Sequence, residues 1–223
     1  MLHTKTKMKI SNRLKVIASF IKDNSNVIDV GADHGLLEIY LIEQKKVNSL
    51  FAVENKIGPY SILKNNLKDY NVTLSLSDGI SEMPEYVDTV VIAGMGGILI
   101  SDILKAHKEK LTNVKQIVVD AHRDNRLVRE TITNHGYYIE KEQIVFENNK
   151  YYFVISFLKG HKDYSEDELE WGYNTNKDPL FKDYKEHELN TLSINLVKYR
   201  SSERATKVGI ETKEAKIRRL TNL

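Results

Sequence analysis

YIEKEQIVFENNKYYFVISFLK, residues 138–159, holds two strand-like runs, 138–146 and 151–159, with only ENNK between them. Four residues are too few for a helical crossover, so the two strands must pair antiparallel as a hairpin. Upstream the rhythm is different. VIDVG (27–31), SLFAVE (49–54), VTLSLSD (72–78), VDTVVIAG (87–94) and KQIVVDA (115–121) read as strands. The last two are nearly continuous apolar runs, as in central parallel strands covered on both faces. Helical stretches alternate with them at 36–45, 59–70, 98–111 and 125–135, with Pro59 near a first turn and Gly136 as a C-cap. An amphipathic helix precedes them at 11–22, with Ser11 as its N-cap and Leu14, Ile17, Ala18 and Ile21 on one face. The pattern is five βα units followed by a hairpin. With right-handed crossovers this is an open, doubly wound α/β sheet ending in an antiparallel strand.

From about residue 164 the pattern becomes helical. SEDELEWG reads as a short helix capped by Ser165, followed by longer helices at 178–202 and 206–220. Leu189, Leu192, Leu196 and Tyr199 keep a three-four spacing, as do Ile210, Ile217 and Leu220, and Gly209 sits near the break. A helical hairpin with coiled-coil packing fits. The expected domains are therefore 1–163 and 164–223.

Composition narrows the chemistry. The 223 residues are 41% hydrophobic and 29% charged, ordinary for a soluble chain, and contain no cysteine. Disulfides, cysteine zinc sites and thiol nucleophiles are excluded. The start, MLHTKTKMKI, has no apolar export core, and no run reaches membrane-spanning length, so a cytoplasmic protein with no membrane partner and no metal is expected. Residues 1–23 and 198–223 each carry a net charge of +5, leaving −8 between them. Basic ends on an acidic body suggest a polyanion held at the edges, although solvated helix faces are the plainer reading.

Dinucleotide-binding Rossmann domains do not usually end in a hairpin; methyltransferases that use S-adenosylmethionine (SAM) do. Asp29-Val30-Gly31-Ala32-Asp33-His34-Gly35 falls in the D-x-G-x-G-x-G frame of SAM enzymes, with Asp33 at the middle glycine. The frame suits NAD poorly, because Asp33 would repel a pyrophosphate seated on the helix N-terminus. SAM carries a sulfonium and an ammonium, which acids suit. The competing reading makes Asp33 a simple helix cap. Glu54, nineteen residues after Gly35, is placed to accept ribose hydroxyls, with Asn55 beside it; otherwise it is an exposed strand-end acid. Asp78-Gly79 offers an acid to an adenine amino group, or is a plain turn. In VIAGMGGIL (91–99), Gly94, Gly96 and Gly97 surround Met95. They would bare backbone N–H groups to a flat base with Met95 as an adaptable wall, against a reading as tight strand–helix packing. His122 and Arg123 either touch substrate or belong to a polar loop in which Asp124 or Asn125 caps a helix. The Asp/Asn-Pro-Pro-aromatic motif of exocyclic amine methylation is missing, and so is the cysteine of pyrimidine C5 methylation. A ring nitrogen with a lone pair needs neither.

SNRL, DVGADHG, SDG and IAGMGG, in this order and spacing, strongly resemble the bacterial tRNA (adenine(22)-N1)-methyltransferase family, TrmK, over essentially the whole chain. The resemblance implies a SAM-dependent Rossmann-like domain, a C-terminal coiled-coil domain, and methyl transfer to N1 of an adenine in the tRNA D-loop region. By motif match Asp29, Gly31, Asp33, His34 and Gly35 fall at the cofactor loop, Glu54 at the ribose, Asp78 and Gly79 at the adenine edge. Arg13 matches an arginine that would pair with the methionine carboxylate. Two departures stand out: Glu54 where many relatives have Asp, and DAHRDN where a Gln-Pro-like sequence is more familiar, which weakens a role for His122.

The expected enzyme thus binds SAM and tRNA, with Asp33 as the carboxylate nearest the reacting base. Gly94 joins the cofactor residues, and Met95, Gly96 and Gly97 form the base pocket. Lys7, Lys9, Lys15, Arg200, Arg204, Arg218 and Arg219 are expected to grip tRNA phosphates, and the chain to act as a monomer without an obligatory protein partner. The competing classes are a SAM enzyme for small molecules or proteins, and a catalytically silent tRNA-binding relative. An NAD enzyme fits least.

Overall fold

Ser11 accepts the Leu14 amide hydrogen at 3.2 Å and so opens the first helix, α1 (Asn12–Phe20). Val16, Ile17, Ala18 and Phe20 are buried along it, and each large side chain contributes roughly 1.5–3 kcal/mol by leaving water. The computed structural model describes residues 10–223, and the chain divides into two units, Met1–Asp163 and Tyr164–Leu223.

In the first unit the strands are β1 (Ser25–Val30), β2 (Val47–Glu54), β3 (Thr73–Leu76), β4 (Thr89–Met95), β5 (Gln116–Ala121), β6 (Tyr137–Glu147) and β7 (Lys150–Lys159). They form one sheet in the order β3-β2-β1-β4-β5-β7-β6. The first five are parallel, and β7 is antiparallel to both β5 and β6. Helices α2 (Leu36–Glu43), α3 (Ile57–Leu67), α4 (Gly97–Ala106) and α5 (Asn125–Asn134) complete the unit. All six residues of β5 are buried, as a central strand covered on both faces requires. One core joins α1 and α2 to Val27, Val91, Val118 and Val154 of the sheet; a second joins α2 and α3 around Ala52, Leu63 and Leu67.

The expected hairpin closes one side of the sheet, with β7 inside and β6 at the edge. The burial patterns give the reason, since β7 is buried without interruption from Tyr152 to Phe157 whereas β6 alternates. Their turn is tight because Asn148 and Asn149 both take positive φ, 52° and 58°, as a two-residue hairpin turn requires. Between β3 and β4 the chain runs through 77–88 without a helix, so four parallel strands, not five, lead into one. Ile80 and Met83 are buried and anchor that segment. The helix expected to reach residue 111 ends at Ala106, and 108–113 winds as a 3₁₀ turn. A bulge interrupts β6 between Ile139 and Lys141.

The second unit contains α6 (Glu166–Trp171), α7 (Phe181–Arg200) and α8 (Lys207–Thr221). Ser165 and Glu168 form a capping box at the start of α6. Helices α7 and α8 pack together, with Leu196 and Leu220 buried. Gly209 lies in the first turn of α8, where a Cβ would collide with the ring of Tyr199. Trp171 is buried beneath Lys216, whose Nζ stands 5.1 Å from the indole centroid and 2.6 Å from Glu170.

Candidate active site

In the sheet the order reverses between β1 and β4, and ligands of open α/β sheets bind where the strand ends part at such a point. The loop leaving β1 is shaped by three residues of positive φ: Gly31 (78°), Asp33 (50°) and Gly35 (73°). Asp is among the few side chains that tolerate this conformation, which explains how Asp33 stands where the frame has glycine. The amides of Gly31 and Ala32 donate to the Val53 carbonyl at 2.8 and 3.0 Å, and Asn66 Nδ2 donates to the His34 carbonyl at 2.9 Å. At Gly35 a Cβ would come within 2.9 Å of Leu67, so the missing side chain serves the packing of α3.

The glycines around the end of β4 separate into different roles. Gly94, at φ 77°, sits in a bulge between Ala93 and Met95. Gly97 is a packing residue, since a Cβ would stand 2.7 Å from the carbonyl oxygens of Arg123 and Asp124, and its amide donates to Arg123 at 3.0 Å. Gly96 lies against the Arg123 side chain. Gly94 and Met95 border the mouth, whereas the Gly97 amide, expected to be bared to a base, is taken up by Arg123. Met95 lies across Gly31, whose missing side chain makes room for the thioether methyl.

Two cavities meet at this mouth. One, of about 370 Å³, is bordered by Glu54, Asn55, Lys56, Asp78, Gly79 and Met95. The other, of about 330 Å³, is bordered by Arg13, Asp29, His34 and His122. Gly31, Asp33, Ala93 and Gly94 belong to both. Glu54 is buried, and its Oε1 accepts the amides of Asn55 and Lys56 at 3.0 and 3.1 Å, which fixes the carboxylate at the strand end. The Asp33 side chain is 67% exposed, with its Oδ1 3.7 Å from His34 Nε2.

Arg13 enters from α1 and is held on several sides. It pairs with Asp120 at the end of β5, approaches Glu147 at 3.6 Å, lies 4.6 Å over the Tyr152 ring and stands 3.4 Å from His122 Nε2. Burial raises the pKa of Asp120, against the pull of Arg13 and His122. Burial lowers that of His122, with Asp120 opposing. Among the described residues, Asp120 Oδ1 and Arg13 Nε have no hydrogen-bond partner. Asp29 is buried and its pKa is raised to about 6 by loss of water, while Glu38 behind it is raised further by burial and by Asp29. Asp120, Glu147, Tyr152 and Glu38 escaped sequence reasoning. The signals for Asp120 and Glu38 were an acid closing the apolar run QIVVDA and an acid inside the apolar turn LLEIYL.

The arrangement fits a nucleoside that carries both a cation and a carboxylate: anchored acids with apolar Val30, Val53, Leu99 and Ile103 on one cavity, and an arginine and further acids on the other. The expected phosphate contacts are distributed differently. Lys15 is exposed on α1 and borders a groove with Tyr40, Gln44 and Lys46, outside both mouth cavities. Arg200 is paired with Glu214, and Arg219 with Asp167 at 2.6 Å. Arg218 reaches Glu214 at 3.7 Å, and Arg204 is exposed. Lys7 and Lys9 lie outside the described residues.

Fold and site together define a Rossmann-like methyltransferase. A family model described as a methyltransferase domain matches residues 10–155, and the chain belongs to that family. It is 29% identical over 161 residues to the tRNA (adenine(22)-N(1))-methyltransferase of Bacillus subtilis, covering 70% of this chain and 68% of that one. A Streptococcus pneumoniae protein solved in complex with S-adenosyl-L-methionine superposes with a TM-score of 0.84 at 27% identity, over 95% of this chain and 99% of that one. The Bacillus subtilis TrmK structure shares the fold, with a TM-score of 0.81 at 24% identity over 97% and 96% of the two chains. The TrmK resemblance read from the motifs stands on these matches.

Proposed function

We propose that this chain is a SAM-dependent tRNA methyltransferase that modifies N1 of adenine 22, working as a monomer in the cytoplasm. The observation that carries the reading is the pair of cavities meeting at Gly31, Asp33 and Gly94, one edged by Glu54 and Asp78 and the other by Arg13 and Asp29. When bound there, SAM supplies an electrophilic methyl group. Glu54, with one oxygen tied to backbone amides, presents its carboxylate to a ribose, and Asp78 faces the adenine edge of the same cavity. Arg13, steadied by Asp120 and Tyr152, receives a carboxylate, and Asp29 favours an ammonium. Met95 and Gly94 form an apolar wall for a flat base.

Adenine N1 has a lone pair at neutral pH, so positioning, rather than a strong base, is the main task of the site. The target base lies in a folded RNA and has to be turned outward to reach the mouth. Asp33, on the rim common to both cavities, opposes the positive charge that methylation places on the ring and accepts the amino proton. Lys15, Arg204 and Arg218, with the basic residues before residue 10, attract phosphates, so tRNA binding weakens steeply with salt. The mutual packing of α7 and α8 supports a monomer, checked by light scattering. Among the described residues no helix is long and apolar enough to cross a membrane.

The test is incubation with SAM and unmodified tRNA transcripts, then mapping of the modified nucleotide. Methyl transfer to N1 of adenine 22 is expected; transfer only to free metabolites, or none, overturns the reading. Asp33→Asn keeps a residue tolerant of positive φ. It is expected to lower turnover about 100-fold while tRNA affinity stays within about twofold; undiminished turnover removes Asp33 from the chemistry.

A further inference from the structure

Glu38 is fully buried in the first turn of α2, between the buried side chains of Leu37 and Ile39. Among the described residues no other residue donates to its carboxyl oxygens, and only its own backbone amide bears on them. The polar side chain that meets it is the carboxyl of Asp29, itself only 5% exposed, on β1. Two ionised carboxyls can only accept, so side by side and away from water they repel. One proton between them turns the repulsion into a hydrogen bond. Asp29 also borders the cavity of Arg13 and His122, whereas Glu38 does not.

We propose that Asp29 and Glu38 hold one shared proton in the free protein and give it up to solvent when a cation enters the cavity that Asp29 borders. Glu38 is then a positioning residue: it touches no ligand, but it sets how much negative charge Asp29 presents. Loss of water pushes both carboxyls upward from the ordinary carboxylate range, which favours a proton held between them. A cationic group beside Asp29 stabilises the doubly ionised pair and expels the proton. Arg13 from α1, Asp33 and His34 from the loop after β1, Asp120 and His122 from the end of β5, Glu147 from β6 and Tyr152 from β7 are the other charged or titratable groups facing this cavity or its arginine. Arg13 is occupied by Asp120 and Glu147. The inference takes from the SAM reading only the identity of the cation.

SAM titrated calorimetrically into the full chain, in buffers of different ionisation enthalpy, is expected to release a large fraction of one proton, and binding is expected to tighten with pH between about 6 and 8 by up to about tenfold per unit. Glu38→Gln gives Asp29 a permanent donor, so its SAM affinity is expected to vary less than about twofold over the same range. His34, His122 and Asp33 are unchanged in that variant, so any slope they cause persists in both proteins. A wild-type affinity independent of pH, or a Glu38→Gln slope equal to wild type, overturns the inference. Absence of SAM binding at every pH overturns the SAM reading itself, and the inference with it.

A second readout needs no ligand. A carboxyl whose folded pKa is raised keeps a proton that the unfolded chain has lost, so wild-type stability declines as pH rises from the ordinary carboxylate range through the raised one. Glu38→Gln is therefore expected to gain about 3 °C in melting temperature relative to wild type between pH 5 and pH 8. Glu38→Met serves the same comparison if the Gln variant does not fold. A melting difference constant with pH counts against the shared proton.

Discussion

Arg129 of α5 and Glu142 of β6 have fully buried side chains; Arg129 Nε donates to both oxygens of Glu142, at 3.0 and 3.3 Å, and the guanidinium lies 5.3 Å from the Phe153 ring centroid. Arg13 of α1 and Asp120 of β5 also join a helix to the sheet, yet Arg13 keeps 20% of its side chain exposed. In this second pair Arg13 Nε and Asp120 Oδ1 are left without hydrogen-bond partners among the described residues. The first pair is complete and faces only protein. The second is anchored but incomplete, and it borders a cavity. Burial of charge alone thus does not single out a candidate site; what distinguishes the Arg13 pair is incomplete pairing beside a cavity.

Arg129→Met tests the first half of this contrast and carries the largest expected effect. Leaving Glu142 buried without its partner should cost about 3–5 kcal/mol in chemical denaturation. Arg129→Met with Glu142→Leu should recover most of that loss, since a closed pair can be replaced by apolar packing. Arg13→Met tests the second half. It should weaken SAM binding by roughly 1.5–3 kcal/mol, read by calorimetry. Its stability cost should stay near 1 kcal/mol, because Asp120, already raised by burial, takes up a proton.

The smallest effect concerns His122, whose pKa is lowered by burial. A base depressed in the folded state contributes stability above the ordinary histidine range and loses it as pH falls through that range toward the folded value. His122→Gln should therefore flatten the decline of melting temperature between pH 7 and pH 5, by less than about 2 °C since the ring is exposed. An unchanged profile would assign the decline to other groups.

The sheet was legible because its strands are long apolar runs and its helices follow in alternation. The inner place of β7 agrees with YYFVISFLK, which is mostly apolar, against the alternating YIEKEQIVF of the edge. The reading failed where local pattern is mute. A run that looked helical to residue 111 broke at Ala106 into a 3₁₀ turn. Of the glycines around the end of β4, only the structure separates Gly97, pressed on Arg123 and Asp124, from Gly94 in its bulge. Strand-end residues such as Glu54 and Asp78 were found from position, since the topology brings strand ends together. Arg13, Asp120 and Tyr152 stand far apart in sequence, and their meeting depends on how α1 and the hairpin pack on β5, which no spacing encodes.

The margins of the sheet carry one more consequence. At one side β3 offers only four residues; at the other, β6 is interrupted by a bulge and bears Glu140, Lys141 and Glu142 in succession. Short, kinked and charged borders are poor templates for a further strand. Such borders work against two molecules extending each other's ladders side by side, and so against fibrous growth in a crowded solution.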